Sequence, residues 1–419
     1  MSTKISLITV FEHSSLKIHN GSLNETQLEA LQQFHGEKGN PYYTLTHKGV
    51  KFKEYVGVIQ VGKTIIEVLP KTDQSFAKNQ DQAKWRKCLI DMLKAVGMFD
   101  IHAPSSSNLQ IKANHILDLY FELFVHQIES LIYRGLIKKY RKTEYNCNSL
   151  KGSLQFGKHL QYNLVHQERF FVRHITYDTQ HLLHQLLYKT ILLIQRLNTN
   201  LDLQSKIKTL LLDFPEQNDL NVSEATFEKI ISNRKTAPYK SVIEIARLLL
   251  LNYHPDIAKG QNNVLALMFD MNLLWEQFVY VSLFKGFKKN HPNVKISTQS
   301  SKNFWQSTQG KRSFIRPDIV VVKDQDCLIL DTKWKNLNGC HPSADDLQQM
   351  YVYHEYFAAQ KVALIYPGIF EQIRGTYALK NPEEIEKECS VMAIDVNSDI
   401  TVWQKDIFNQ VTAWSKWFI

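Results

Sequence analysis

Two short apolar runs with a polar turn between them constrain the fold of this chain more than any other feature of its sequence. Residues 315–322 and 327–330 are rich in Val, Ile and Leu, whereas residues 323–326 read KDQD. This pattern predicts a β-hairpin. Apolar residues at helical spacing precede the hairpin at 264–287 and follow it at 344–360. We therefore expect an α/β domain in which helices flank a small mixed sheet.

Changes in hydrophobic period divide the rest of the chain, which at 419 residues is long enough for two or three domains. Residues 1–84 carry alternating, β-branched runs and predict a β-rich N-terminal region. Residues 85–262 carry apolar stripes at helical spacing, with Gly135 placed to end one helix, and predict a mainly helical middle region. The stretch 254–263 concentrates Pro, Gly and Asn and is the best candidate linker to 263–419. The expected fold class is a multidomain α+β protein.

The net charge of the chain is positive and unevenly spread. Its 50 Lys and Arg against 41 Asp and Glu give a formal charge of +9, which favours a polyanionic partner. Between Arg134 and Arg173, nine basic residues and several aromatic ones stand against two acidic residues. Nucleic-acid surfaces combine these residue types, although a solvated helix face would carry them as well. The residues that we predict to contact DNA are Lys138, Lys139, Arg141, Lys142, Arg169 and Arg173.

Cysteine usage and the length of the apolar runs bear on the cellular compartment. The five cysteines are odd in number and include no C-x-x-C pair, which favours free thiols in a reducing compartment. No apolar stretch approaches the roughly 20 residues that cross a bilayer. We therefore expect a cytoplasmic protein that makes no contact with a membrane.

One segment satisfies the phosphate-loop pattern G-x-x-x-x-G-K-[ST] letter for letter. From Gly57 to Thr64 the sequence reads GVIQVGKT, and the chain would be a P-loop NTPase if this loop opened a helix. The residues that follow, IIEVL, favour a strand and end at Pro70, so no helix of several turns fits there. A β-hairpin with Gly62 and Lys63 at its turn explains the segment better. The NTPase is kept as an alternative.

The candidate chemistry lies on the strands of the C-terminal hairpin. Asp318 follows Arg316 and Pro317 within the first apolar run, and Asp331 and Lys333 end the second. Residues two apart in a strand point to the same face, so Asp331 and Lys333 share a face, which Asp318 on the neighbouring strand can join. Two carboxylates of this kind suit Mg²⁺, or Mn²⁺, with water and substrate phosphate as the other ligands. Lys333 could position the attacking water.

The two flanking helices add further candidates. Glu276 lies at the edge of the apolar stripe of the preceding helix, where its carboxylate could reach the metal. In the following helix Gln349 and Tyr353 stand four apart and share a face, behind a predicted cap formed by Ser343 and Asp346. Each residue also has a plainer interpretation, because exposed acids and amides are common on helices. The predicted metal ligands are Asp318, Asp331 and Glu276, and the predicted catalytic residues add Lys333, Gln349 and Tyr353.

In this order the residues resemble the PD-(D/E)xK nuclease superfamily, and the Gln349-x-x-x-Tyr353 pair resembles its RecB-like branch. Longer stretches resemble the McrC family, the nuclease subunits of McrBC-type modification-dependent restriction systems. These stretches are GVIQVGKTIIEVLPK (57–71), LKGSLQFGKHLQYNLVHQERFFVRH (150–174), MNLLWEQFVY (271–280), RPDIVV (316–321), LILDTKWK (328–335) and DLQQMYVYHEYF (346–357). The resemblance covers the chain apart from about its first 40 residues.

The resemblance implies a metal-dependent DNA endonuclease that works with a separate AAA+ GTPase. The family's nucleotide is GTP, bound by an McrB-like hexamer that also recognises modified cytosine in double-stranded DNA. The N-terminal part of this chain would contact that ring and stimulate its hydrolysis, and residues 57–64 would bind no nucleotide. A non-catalytic DNA-binding adaptor is the second alternative. The resemblance leaves open the modified sequence, the cut position, the stoichiometry, the stimulating residues and the choice between GTP and ATP.

Overall fold

The computed structural model of the chain describes residues 6–18, 23–36, 39–71, 81–97, 115–231, 233–254, 263–335, 337, 341–378, 386–396 and 399–417. The chain forms two compact units, each made of several segments. The first unit comprises residues 1–6, 60–64 and 110–267, and the second comprises residues 7–59, 65–109 and 268–419. The three predicted regions, with boundaries after residues 84 and 262, stay a prediction. Most of the predicted linker, residues 255–262, lies outside the described residues.

The N-terminal part of the chain is rich in strands, as predicted. Its elements are β1 (Ser6–Phe11), β2 (Ser15–Lys17), α1 (Glu25–His35), β3 (Tyr43–Thr46), β4 (Gly49–Phe52), β5 (Tyr55–Val61), β6 (Thr64–Leu69) and α2 (Asp81–Val96). Strands β2, β4 and β3 form an antiparallel sheet, and β1, β6 and β5 lie side by side in another. Helix α1 was not predicted. It begins with a capping box, in which Asn24 and Gln27 each bond the other's backbone N–H.

The segment with the phosphate-loop letters is a β-hairpin, as predicted. Strand β5 ends at Val61, β6 begins at Thr64, and Gly62 and Lys63 form the turn between them. Gly62 has a φ of +57°, in the left-handed region that glycine adopts without strain. Residues 65–69 continue as a buried strand and not as a helix. Within this segment the helix N-terminus that a phosphate loop requires is therefore missing.

The middle of the chain contains the predicted helices together with a sheet that was not predicted. Its elements are α3 (Ile116–Arg134), β7 (Lys139–Cys147), β8 (Ser153–Leu154), α4 (Phe156–Asn163), β9 (Phe170–Asp178), α5 (Leu182–Leu197), α6 (Leu201–Asp213), α7 (Glu224–Glu228), a short 3₁₀ helix (Ala237–Tyr239), α8 (Lys240–Leu251), β10 (Tyr253–His254) and β11 (Val264–Asp270). Gly135 ends α3 with a φ of +86°, as predicted. No helix in the described parts of the chain is both long and apolar enough to span a membrane.

The basic stretch of the middle region forms an antiparallel sheet and not a helix face. Strands β7 and β9 pair over their full length, from Lys139 opposite Asp178 to Cys147 opposite Phe170, and β8 pairs with the other edge of β9. Aromatic and β-branched residues favour strands, and the stretch is rich in both. The middle region is still mainly helical, and this sheet is an addition to it that the sequence did not predict.

The C-terminal part of the chain is the predicted α/β domain. Its elements are α9 (Met271–Asn290), β12 (Lys295–Thr298), β13 (Lys302–Gln306), β14 (Arg312–Ile315), β15 (Ile319–Lys323), β16 (Asp326–Thr332), α10 (Ala344–Phe357), β17 (Lys361–Pro367), β18 (Ile373–Thr376), β19 (Glu388–Ile394) and α11 (Ile400–Ser415). Six strands form a mixed sheet in the order β12-β15-β16-β17-β19-β18, in which β16, β17 and β19 run parallel. Helix α10 covers one face, where Met350 and Tyr353 pack on Ile329 and Val362. Helix α9 packs against α11 and against β16, so the predicted small sheet flanked by helices is confirmed.

Two local predictions in this domain are wrong. Residues 264–270 form the strand β11, and helix α9 begins only at Met271, after the capping residue Asp270. This apolar run is continuous, so its period could not distinguish a strand from a helix. Asp318 lies between β14 and β15 and not inside a strand, because Pro317 has no N–H to donate to a strand ladder.

Candidate active site

The hairpin of β15 and β16 brings the two predicted carboxylates together. The strands pair with Ile319 opposite Leu330, so the next residues outward, Asp318 and Asp331, stand opposite each other at the open end of the hairpin. The predicted turn is confirmed at the other end, where Asp324 adopts a φ of +55°. Asp331 is only 1% exposed, and Asp318 is half-buried. The register thus places two acids next to each other in a partly dehydrated site.

Lys333 is paired with Asp331. Its Nζ lies 2.7 Å from Asp331 Oδ2, which agrees with the shared face expected for residues two apart. Burial raises the pKa of Asp331 to about 6, the charge of Asp318 adds to the rise, and Lys333 opposes it. Burial by itself would lower the pKa of Lys333. Its pKa nevertheless lies above the usual value, because the negative charges of Asp331 and Asp318 stabilise the ammonium. The ammonium of Lys333 is therefore charged at neutral pH.

Thr332 holds the side chain of Asp318. Its backbone N–H and its hydroxyl both donate to Asp318 Oδ2, at 2.6 and 2.8 Å. Burial raises the pKa of Asp318, and the two hydrogen bonds from Thr332 oppose that rise. Thr332 was not among the predicted site residues, because strand alternation places it on the face opposite Asp331. Its contact with Asp318 arises where the strand ends, beyond the reach of that rule.

Gln349 and Tyr353 connect Lys333 to the backbone at Arg316. Lys333 Nζ donates to Gln349 Oε1 at 3.3 Å, Gln349 Nε2 donates to Tyr353 OH at 2.7 Å, and that hydroxyl donates to the carbonyl of Arg316 at 2.9 Å. Tyr353 is 2% exposed, so packing holds its ring in place. The four-residue spacing on helix α10 thus produces the expected shared face. The chain of bonds joins the ammonium to the segment that leads into β15.

Glu276 approaches the site from helix α9. Its carboxylate accepts a hydrogen bond from the side chain of Gln299 and lies close enough to Asp318 and Asp331 to be affected by their charges. Burial and the charge of Asp318 together raise the pKa of Glu276 to about 7. The backbone N–H of Gln299 also donates to the carbonyl of Asp318, at 3.3 Å, and Gln299 adopts a φ of +53°. Sequence reasoning missed Gln299, since it lies in a loop without a recognisable motif.

Asp346 is a further acid beside the site, and the sequence indicated only its role in the helix cap. Its Oδ2 accepts hydrogen bonds from Lys335 Nζ at 2.6 Å and Tyr366 OH at 3.3 Å, and its Oδ1 lies 4.0 Å from Lys333 Nζ. The cap is present, because Ser343 Oγ accepts the N–H of Asp346 at 3.2 Å. Burial favours protonation of Asp346, but the bonds from Lys335 and Ser343 keep its pKa below the usual value. Asp346 therefore remains an anion near Lys333.

The carboxylate pair has the chemistry that a hard divalent cation needs. Within the described residues, no group of three or more His, Cys, Asp and Glu side chains is arranged to hold a metal ion. Proteins hold Mg²⁺ through as few as one or two carboxylates, with water and substrate phosphate completing its octahedron. Asp318 and Asp331 are two such oxygen donors, and a cation between them would relieve the repulsion that disfavours ionising both. This pair fits Mg²⁺, and Glu276 stays a predicted third ligand.

The residues predicted to contact DNA lie in and beside the sheet β7-β9-β8, far along the chain from the hairpin of the carboxylates. All six are exposed: Lys138, Lys139, Arg141, Lys142, Arg169 and Arg173. The three arginines are ion-paired, Arg141 with Asp178, Arg169 with Glu168 and Arg173 with Glu144. These pairs neutralise part of the basic surface. The role of the six residues in DNA binding stays a prediction.

Known proteins resemble the chain in sequence pattern and in fold. A family model described as McrBC 5-methylcytosine restriction system component matches residues 50–367. A chain from a half-complex of a tetradecameric assembly of Thermococcus gammatolerans McrB AAA+ hexamers with bound McrC has a TM-score of 0.73 at 18% identity, with 98% of this chain and 100% of that chain covered. A chain from the cryo-EM structure of the Thermococcus gammatolerans McrBC complex has a TM-score of 0.50 at 18% identity, with coverages of 67% and 88%. No curated protein matches the chain in sequence.

Proposed function

We propose, because this chain belongs to the McrBC family of 5-methylcytosine restriction system components, that it is the DNA endonuclease subunit of such a system. In this role it hydrolyses phosphodiester bonds with the help of a divalent metal ion. One observation carries the proposal. The buried carboxylate of Asp331 stands opposite Asp318 and 2.7 Å from the ammonium of Lys333, which Gln349 holds from the other side. A buried cluster of two acids and a lysine is costly for folding and is typical of a site that performs chemistry.

The side chains at the site have separate roles in the proposed hydrolysis. Asp318 and Asp331 would hold Mg²⁺, or Mn²⁺, which supplies positive charge at the scissile phosphate. Lys333 donates hydrogen bonds to the attacking water and stabilises the negative charge that develops on the phosphate. Gln349 restricts the rotamers of Lys333, so its ammonium is in position before the substrate arrives. Glu276, whose pKa is raised to about 7 by burial and by the charge of Asp318 in the metal-free protein, would join Asp318 and Asp331 as a third ligand once the metal displaces its proton.

The proposed partner is an McrB-like AAA+ GTPase hexamer. The similar chain from Thermococcus gammatolerans is described with McrB AAA+ hexamers and bound McrC, which supports this choice. The partner would bind GTP and recognise modified cytosine in double-stranded DNA. Residues 1–84 of this chain would contact the partner and stimulate its hydrolysis, and the exposed lysines Lys138, Lys139 and Lys142 would contact DNA. The assembly would act in the cytoplasm.

Reconstitution of the chain with its AAA+ partner tests the proposal. Methylated and unmethylated DNA are incubated with GTP and Mg²⁺, and DNA cleavage and GTP hydrolysis are measured in the same samples. We expect Asp318→Ala, Asp331→Ala and Lys333→Ala each to abolish cleavage while GTP hydrolysis is still stimulated. Asp345→Ala, which removes an exposed acid from the first turn of α10, is the control and should cleave like wild type.

The rival interpretations predict different results in that experiment. If the chain is a non-catalytic adaptor, the assembly with Asp331→Ala cleaves DNA as fast as the wild type, and the proposal is wrong. If the chain is itself an NTPase, it hydrolyses nucleotide without the partner. The strand that follows Thr64 gives the second rival no structural support.

A further inference from the structure

A small hairpin is inserted in the C-terminal domain directly before the candidate active site. Among the strands that the structure describes, β13 and β14 form a sheet of two, whereas the strands before and after them, β12 and β15, belong to the six-stranded sheet. The second arm of the hairpin ends at Ile315, and Arg316, Pro317 and Asp318 follow immediately. A molecule bound to this hairpin would therefore lie next to a carboxylate of the site.

One face of the hairpin is anchored to helix α10. Lys302 and Ile315 are paired across the strands and so share this face. Lys302 Nζ donates to the carbonyl of Tyr356 at 2.7 Å and lies 4.6 Å from the centre of the Phe357 ring. Ile315 packs against the core cluster between α10 and the sheet. The hairpin thus has a defined orientation on the domain, with its opposite face directed away from α10.

The opposite face, which we term the outer face of the hairpin, carries polar and aromatic side chains. Its members are Asn303 opposite Phe314 and Gln306 opposite Arg312. All four are exposed, and Phe314 is 54% exposed. The exposed half of Phe314 contributes nothing to folding. A ring flanked by an arginine and two amides is a combination that binds nucleic acid, because the arginine pairs with phosphate and the ring packs against sugars or bases.

The charge of the hairpin indicates which kind of molecule binds to it. From residue 302 to residue 316 the chain has four basic residues and no acidic residue. Lys302 is bonded to α10, so Lys311, Arg312 and Arg316, which are all exposed, remain for an occupant. A surface with one sign of charge attracts a polyanion and is unsuited to an apolar protein surface, which would leave its charges desolvated and unpaired. Arg312, Phe314 and Arg316 alternate along the chain, which directs them to one side in an extended segment. The row of these side chains ends at Arg316, whose backbone carbonyl accepts a hydrogen bond from the hydroxyl of Tyr353.

We propose that the outer face of this hairpin binds the phosphate backbone of duplex DNA next to the bond that is cut. Arg312 contacts a phosphate, Phe314 packs against the adjacent sugar, and Asn303 and Gln306 donate to the same strand. Because Tyr353 holds the carbonyl of Arg316, DNA bound to the hairpin would lie at a defined position relative to Asp318. The inference rests on the proposed endonuclease function and adds the surface that places its substrate.

Binding of a 30-base-pair duplex to the full chain tests the proposal, with EDTA present so that DNA stays intact. For Arg312→Gln we expect affinity to fall about five- to tenfold, with the slope of log affinity against log salt smaller by about one. Arg374→Gln is the matched control, because it removes an exposed arginine from β18 at the opposite edge of the six-stranded sheet. Its affinity and slope should equal those of the wild type. Arg312→Lys, which keeps the charge, should keep the slope.

Cleavage by the reconstituted assembly separates the failure of this inference from the failure of the proposed function. If the wild-type assembly does not cut DNA, the endonuclease function is wrong. If it cuts and Phe314→Ala and Arg312→Gln cut as fast as Arg374→Gln at subsaturating DNA, the outer face does not bind substrate and the inference is overturned. The inference is also overturned if both variants bind DNA normally but no longer stimulate GTP hydrolysis, because the occupant is then the partner protein.

Discussion

Gln349 Oε1 accepts a hydrogen bond of 3.3 Å from Lys333 Nζ, and this contact joins helix α10 to the end of strand β16. Lys333 also pairs with Asp331, so its ammonium is held from two sides. A lysine side chain has four rotatable bonds and loses considerable rotamer entropy when it is fixed. Gln349 therefore acts on the chemistry through Lys333, as a positioning residue. Its contribution can be separated from that of the carboxylates.

The first prediction concerns Gln349→Ala. We expect the rate of DNA cleavage by the reconstituted assembly to fall about ten- to a hundredfold, as for other residues that orient a metal site's functional groups. GTP hydrolysis should stay at the wild-type level, because the substitution leaves the partner unaffected. Gln348→Ala, at the exposed neighbouring position of the same helix, is the control. Equal cleavage rates for the two variants would show that Gln349 has no part in positioning Lys333.

The second prediction concerns the hydroxyl of Tyr353, which accepts a bond from Gln349 and donates one to the carbonyl of Arg316. Tyr353→Phe should lower the free energy of unfolding by about 1–2 kcal/mol, because buried polar groups lose a partner. Urea denaturation of the full chain followed by fluorescence measures this difference. Tyr356→Phe, which alters an exposed tyrosine of the same helix, should leave the transition unchanged. A Tyr353→Phe transition that coincides with the wild type would contradict the structural role of the hydroxyl.

Particular residues show how far the sequence predicts this site. Asp331 and Lys333 could be placed together because strand alternation is a local rule, and Gln349 and Tyr353 because helical spacing is another. The helix caps and the hairpin turns were likewise predicted from short sequence patterns. These rules relate residues that are only a few positions apart, so they can be applied without knowing the fold.

Other parts of the site were not predictable in this way. Gln299 reaches Glu276 and Asp318 from a loop, and its role depends on how β12 pairs with β15. Thr332 was not selected, because strand alternation directs its side chain away from that of Asp331, yet its hydroxyl donates to Asp318 where the strand ends. The continuous apolar run 264–270 has no period that separates a strand from a helix. In each case the outcome was decided by tertiary contacts.

The third prediction links metal binding to pH. The pKa of Asp331 is about 6 and that of Glu276 about 7, so protons occupy these carboxylates in the metal-free protein up to near-neutral pH. A metal ion must displace those protons, and its affinity should therefore rise between pH 5 and pH 7 and level off above. Titration of the full chain with Mn²⁺, followed by electron paramagnetic resonance, measures the free ion. An affinity that is constant from pH 5 to pH 8 would count against the carboxylates as ligands.

The fourth prediction concerns the stability of Asp331→Asn without divalent ions. Because the folded-state pKa of Asp331 is raised from 3.8 to about 6, the folded protein holds this proton more tightly than the unfolded chain does. The wild type therefore loses stability as pH rises from about 4 to about 6, and the variant does not. At pH 8 the variant should be more stable, by up to about 3 kcal/mol, and at pH 4 the two should be equal. A variant that is less stable than the wild type at pH 8 would assign Asp331 a structural role.

The fifth prediction concerns the phosphate-loop letters. Residues 57–64 form two strands and a turn, so the isolated chain should bind neither GTP nor ATP. A fluorescent nucleotide titrated into the wild type and into Lys63→Ala should show no saturable signal with either protein. Saturable binding that disappears in Lys63→Ala would restore the NTPase interpretation.

The central claim is that Asp318 and Asp331 hold one divalent ion between them. Anomalous diffraction from crystals of the full chain grown with Mn²⁺ tests this claim directly. We expect one strong anomalous peak within about 2.1 Å of a carboxylate oxygen of each residue, the distance typical of Mg²⁺ and its oxygen ligands. A structure in which Mn²⁺ binds elsewhere, while these two carboxylates point away from each other without an ion, would contradict the claim.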